Sequence, residues 1–93
     1  KINNANQNID FKIKDSNSDV LFMADATDAR IGIGTDSPTD VFDINSDSIR
    51  IRTAQTPASA TAAGDAGRIC WDSNYLYICI ATNTWKRVAI ATW

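Results

Sequence analysis

Asp28-Ala-Arg-Ile-Gly-Ile-Gly-Thr-Asp-Ser-Pro-Thr-Asp-Val-Phe-Asp-Ile-Asn45 is the stretch whose reading decides the fold. It shows no helical period. Ile31 and Ile33 alternate with Arg30, Gly32 and Gly34, so one side of a strand carries aliphatic groups and the other almost nothing. Ser37-Pro38 breaks the strand, because proline has no donor for a sheet ladder, and Val41 to Ile44 resume it. A bare glycine face admits another backbone at close range, which is how stacked or intertwined β-structure is built. It is a poor foundation for an active site.

The pattern extends in both directions. Upstream, Ile9, Phe11 and Ile13 alternate with Asp10, Lys12 and Lys14, which predicts a half-buried strand. Asp15-Ser-Asn-Ser-Asp19 turns the chain, since short side-chain acceptors bond their own backbone there. Val20 to Ala24 then form a hairpin with the first strand, and Asp25-Ala-Thr-Asp28 turns into the glycine-bearing strand. Downstream, Asn45-Ser-Asp-Ser48 leads to Ile49-Arg-Ile-Arg52, where alternation predicts a fifth strand. Residues 1–52 therefore read as a shaft-like β segment of short strands, each with two or three apolar groups on one face. So thin a core is sensible if identical chains bury those faces against one another. The assembly residues are Ile9, Phe11, Ile13, Leu21, Phe22, Ile31, Ile33, Phe42, Ile44, Ile49 and Ile51.

Residues 53–67 lack any large apolar side chain and read as an Ala/Thr/Gly-rich linker, extended near Thr56-Pro57. Residues 68–93 read as a three-stranded β-tip, a meander of Arg68 to Asp72, Tyr75 to Ala81 and Trp85 to Ala91. A two-residue turn at Ser73-Asn74 pairs Trp71 with Leu76 and Ile69 with Ile78, with Val88 and Ile90 able to join that face. This aromatic-rich meander is expected to be the best-packed part. The same register sets Cys70 opposite Tyr77 and Cys79 opposite Arg68, so the thiols share a face diagonally, far for a disulfide. Two free, packed thiols are expected. A four-residue loop would place them opposite one another, and a bonded pair stays open as the alternative.

Composition narrows the function. Ninety-three residues hold one small domain or two smaller β-modules, and 44% hydrophobic content excludes disorder over most of the chain. A net charge of −2 argues against a nucleic-acid partner, which needs clustered Lys and Arg. No apolar run approaches the ~20 residues of a transmembrane helix, so no membrane insertion is expected. No basic-then-apolar leader is visible at Lys1, which is not a usual start, so upstream sequence that has been removed or left out is an open expectation. No asparagine heads a glycosylation sequon, while attachment through Ser or Thr stays open.

Chemistry-bearing motifs are sparse. There is no histidine, no nucleophile elbow and no phosphate loop, and the acids fall in turns, so the chain is expected not to be an enzyme and to need no cofactor. Asp15, Asn17 and Asp19 imitate the start of a calcium loop, but Val20 stands where glycine is needed and Ala26 where glutamate is needed. Ile31-Gly-Ile-Gly34 lacks the third glycine and following helix of a dinucleotide site. A metal is not expected, with no Cys-x-x-Cys present. Tyr75, Tyr77, Trp85 and Trp93 with Lys86 and Arg87 are candidate glycan contacts, weighed against aromatics that serve as core or subunit contacts.

The segments Asn8 to Ile13, Leu21 to Thr35, Ser37-Pro38 and Phe42-Asp-Ile-Asn45 resemble the shaft repeats of tailed-bacteriophage tail fibres and related appendages. Ala66 to Cys79 with Asn83 to Ala89 is similar to segments that close such fibres. The resemblance implies a non-enzymatic structural fibre protein, homotrimeric, on a virion appendage or otherwise extracellular, with a cell-surface glycan as partner. The fold expected is all-β, of short antiparallel strands assembled between identical chains, with a small C-terminal meander. An alternative is a subunit of a self-assembling, pilus-like filament, in which residues 1–13 donate a strand to the next copy; a chain complete at 93 residues would favour it. A monomeric sugar-binding module is the third reading. Trimer versus filament, host and glycan identity stay open.

Overall fold

A computed structural model describes residue 5 and residues 7–93. Every regular element in it is a strand: β1 (Phe11–Lys14), β2 (Val20–Asp25), β3 (Arg30–Ile33), β4 (Phe42–Ile44), β5 (Ile69–Trp71), β6 (Tyr75–Ala81) and β7 (Thr84–Ala89). They form a four-stranded sheet in the order β1-β2-β3-β4 and a three-stranded sheet in the order β5-β6-β7. The chain divides into two compact units, Lys1–Ile49 and Arg50–Trp93, with one sheet in each. Most of the lead-in at residues 1–8 lies outside the described residues, while Phe11 to Ile13 of the donated-strand reading pair with β2 of their own chain.

In the first unit, β1, β2 and β3 form an antiparallel meander, pairing Phe11 with Ala24, Ile13 with Phe22, Phe22 with Ile33 and Ala24 with Ile31. The β1–β2 turn is built by Asp15, whose Oδ1 accepts the backbone N–H of Asn17 and of Asp19 at 2.8 and 3.0 Å. β4 departs from the all-antiparallel expectation. It runs parallel to β3, with Ile31 beside Phe42 and Ile33 beside Ile44.

A parallel partner requires the chain to cross the sheet, and the segment between Ile33 and Phe42 does so over Gly32. A Cβ at Gly32 would lie 2.6 Å from the Thr35 carbonyl oxygen and 3.5 Å from the Pro38 Cβ. The backbone that approaches the glycine face is thus the chain's own crossover, in place of a neighbouring chain. Arg30 donates to the Pro38 carbonyl at 3.2 Å, and Asp43 accepts the Thr39 N–H at 2.9 Å. Met23, paired with Gly32, is buried under this crossover side.

The second unit keeps the predicted register: Ile69 pairs with Ile78, Cys70 with Tyr77 and Trp71 with Leu76. The packed face, however, is the opposite of the aliphatic one. Its core is Cys70, Tyr77, Cys79 and Trp85, with Ala62 and Tyr75 against it. Both cysteines are free and buried. Two regions differ from their sequence reading. Ile49 to Arg52 forms no strand despite its alternation, because the neighbouring groups offer single hydrogen bonds and no ladder: Trp71 Nε1 donates to the Ile51 carbonyl at 2.7 Å. Residues 53–67 are not a free span; they fold as a strap over the core. Gln55 N–H donates to Trp71 at 2.9 Å, Trp85 N–H to Ala60 at 2.9 Å, and Trp85 Nε1 to Ala62 at 3.0 Å. Small residues suit this strap. A Cβ at Gly64 would sit 2.7 Å from the Trp85 ring.

Candidate functional site

Alternation along four paired strands places Phe11, Ile13, Phe22, Ile31, Ile33, Phe42 and Ile44 on one face of the first sheet. The crossover packs on the reverse face, against Gly32. Phe42 is 61% exposed, Ile13 45% and Ile31 39%. Phe11 and Phe22 meet edge-on with ring centroids 6.2 Å apart. With Ile9, Ala24 and Ile31 they line an open hollow of about 510 Å³. Such a face on a four-stranded sheet leaves many large apolar groups in contact with solvent, which is unfavourable.

Eight of the expected assembly residues are thereby gathered: the seven on the face and Ile9 at its margin. Three are not. Leu21 alternates onto the other side of β2, with Met23, because a one-residue step in a strand reverses the side chain. Ile49 and Ile51 lie outside any strand and fall in different units.

The candidate glycan contacts in the second unit are dispersed. Tyr77 and Trp85 are core residues with their ring faces packed away. Tyr75 is half-buried, and the Arg87 guanidinium lies 3.9 Å from its ring centre, a cation–π contact that occupies one face of the ring. Lys86 pairs with Ile78, placing it on the opposite side of the sheet from Tyr77 and Arg87. Trp93 is fully exposed beyond β7. Beside the strap runs a groove of about 450 Å³, bounded by residues 56–60 and by Tyr77, Trp85, Lys86 and Arg87.

The carboxylate of Asp72 is the polar centre of this unit, and sequence reading gave it no role beyond a turn. Its Oδ1 accepts the N–H of Asn74 at 2.8 Å and of Tyr75 at 2.9 Å. Its Oδ2 accepts the hydroxyl of Thr56 at 2.6 Å and of Tyr77 at 2.5 Å. One residue therefore closes the β5–β6 turn, orients a core tyrosine and ties the strap to the sheet. The donated hydrogen bonds, led by Thr56 and Tyr77, hold the Asp72 carboxyl well below the usual carboxylate range. The bond to Asp72 raises the Tyr77 hydroxyl, and burial raises the Cys70 thiol. The signal available in the sequence was the Asp-Ser-Asn turn; the partnership with Thr56, sixteen residues earlier, was not visible. Among the described residues, no group of three His, Cys, Asp or Glu side chains is placed to hold a metal ion, and no helix is long and apolar enough to cross a membrane.

The chain is similar to two proteins of bacteriophages. Over 41 residues, 44% of the chain, the sequence is 54% identical to "Depolymerase 1, capsule K30/K69-specific" of Klebsiella phage K5-2. Over 56 residues, 60% of the chain, it is 46% identical to "Depolymerase, capsule K30/K69-specific" of Klebsiella phage K64-1. The matched stretches make up 5% and 7% of those proteins, so the chain spans a small fraction of the relatives' length. No family model and no solved structure matches the chain.

The expected likeness to bacteriophage proteins holds at this level. The expectation that the chain is not an enzyme is corrected: both relatives are named as depolymerases, which are enzymes. Missing catalytic motifs in 93 residues were the wrong ground, because in relatives so much longer the chemistry need not leave a mark within so short a stretch.

Proposed function

We propose that this chain is part of a bacteriophage tail appendage that degrades capsular polysaccharide, and that its first sheet assembles identical chains into a homotrimer. The likeness to two capsule-specific depolymerases carries the reading of target and activity class. The apolar face of the first sheet supports the assembly role, because strands of three to six residues with one sheltered side need a second cover. Identical chains supply that cover wherever the protein is made. A repeated, multivalent rod also suits a polysaccharide target, since linked copies gain avidity without new contacts. The site of action is then the virion surface facing the bacterial capsule.

The test is retention of the chain on immobilised K30 and K69 capsular polysaccharides, with an unrelated capsule type as control and release of reducing ends followed in parallel. Type-specific retention or chain shortening is expected. Indifference to both polysaccharides by a properly assembled oligomer would overturn the capsule reading.

A further inference from the structure

The second unit carries an apolar face of its own, and the glycan and trimer reading does not use it. Alternation through β5, β6 and β7 places Ile69, Leu76, Ile78, Ile80 and Val88 on the side away from the core, and the exposed Ile90 follows directly after β7. Each of the six is between 42% and 57% exposed. The strap of residues 53–67 closes only the other side, where Ala62 packs on the core and Trp85 bonds Ala60 and Ala62. The unit is thus a three-stranded sheet closed on one side and open on the other.

We infer that this open face is an interface with second copies of the same chain. Three features favour that occupant. First, the unit's own core is four residues, too few to hold a sheet of this size in water without further burial. A cover needed for folding must be present wherever the chain is made, and another copy always is. Second, the face is nearly uncharged. Lys86 is the one ionised side chain that the register places among these aliphatics, and no acid accompanies it. A surface without charge pattern offers nothing for a differently charged partner to match, whereas like aliphatic faces pack on each other with Lys86 carried to the rim by its flexible stem. Third, the size is appropriate. Six half-exposed aliphatic residues and their surroundings present on the order of 500 Å² of apolar surface, close to the apolar share of one side of a standard interface of about 800 Å² per partner.

This inference rests on the homo-oligomeric reading above but concerns a different surface, so the two can be tested apart. A photo-crosslinking benzophenone amino acid is placed at Val88 of the full chain, and separately at Phe42 on the first sheet's face. Irradiation of the Val88 variant is expected to give covalent multiples of the 10.2 kDa chain. The same residue at Ile90 provides the readout if the Val88 variant loses its β-sheet circular dichroism. Multimers from Phe42 with only single chains from Val88 and Ile90 would overturn this inference and leave the trimer reading standing. Multimers from Val88 but not Phe42 would do the reverse. A cross-link from Val88 to another part of its own chain would overturn it too, by showing the cover to be intramolecular.

Discussion

At the scale of single residues, Gly32 and Asp72 each do a job that no neighbour could take over. Gly32 lets the β3–β4 crossover pass within 2.6 Å of where a Cβ would stand, and the obstructing atom is a backbone oxygen that cannot swing aside. Gly32→Ala is therefore expected to cost about 2 kcal/mol or more in unfolding free energy, measured by denaturant titration. A loss of a few tenths would mean the crossover is looser than described.

Asp72 makes a pH prediction whose sign follows from its depressed pKa. The carboxylate is favoured by the fold, so its contribution is fully present above the unfolded value of about 3.9 and is lost as pH falls below it. Tyr77 acts at the other end. Its raised pKa means the neutral hydroxyl is favoured, so stability is present below about pH 10 and declines above it. Thermal melting between pH 7 and 2.5 should show an acid-dependent drop in wild type that Asp72→Ala lacks, with the variant less stable at pH 7. A parallel pH dependence in both proteins would remove Asp72 from the explanation.

At the scale of elements, strand period and turn chemistry were legible, and what covers each face was not. Ile9 to Lys14 alternates cleanly, and Ser73-Asn74 fixes a register that places Cys70 opposite Tyr77, as found. Those are local properties, set by side-chain direction and by short acceptors bonding nearby backbone. The choice of packed face is not local. Ile69, Leu76 and Ile78 are the more aliphatic side of the second sheet, yet the core lies under Tyr77, Cys79 and Trp85 because the strap reaches that side.

The packing of the strap was illegible for the same reason. Its small residues look like flexibility in isolation, but Gly64 and Ala62 are small because they sit against Trp85. Gly64→Ala should lower stability by about 1–3 kcal/mol through overpacking against that ring, read by thermal unfolding of the second unit's tryptophan fluorescence. An unchanged melting curve would show the strap to be loosely held. The Asp72 centre was illegible because it joins a turn to a residue on the strap, and only the fold brings Thr56 within 2.6 Å of it.

At the scale of the whole molecule, two sheets each shelter one side and leave an aliphatic side open. Among the described residues, the buried hydrophobic core is Met23 in the first unit and four residues in the second. In the homo-oligomer proposed above, a chain of 93 residues with so little interior buries its remaining apolar surface against other copies. Ile33→Asp puts a charge in the middle of the first sheet's open face. It is expected to abolish the oligomer, observed by size-exclusion chromatography, and a variant that remained a folded oligomer would contradict a shared core.

The central claim is that the folded unit is an assembly of identical chains, and the native mass of the intact chain by light scattering tests it most directly. A discrete species of three 10.2 kDa chains that persists on dilution until the protein unfolds is expected. A stable, folded monomer would contradict it.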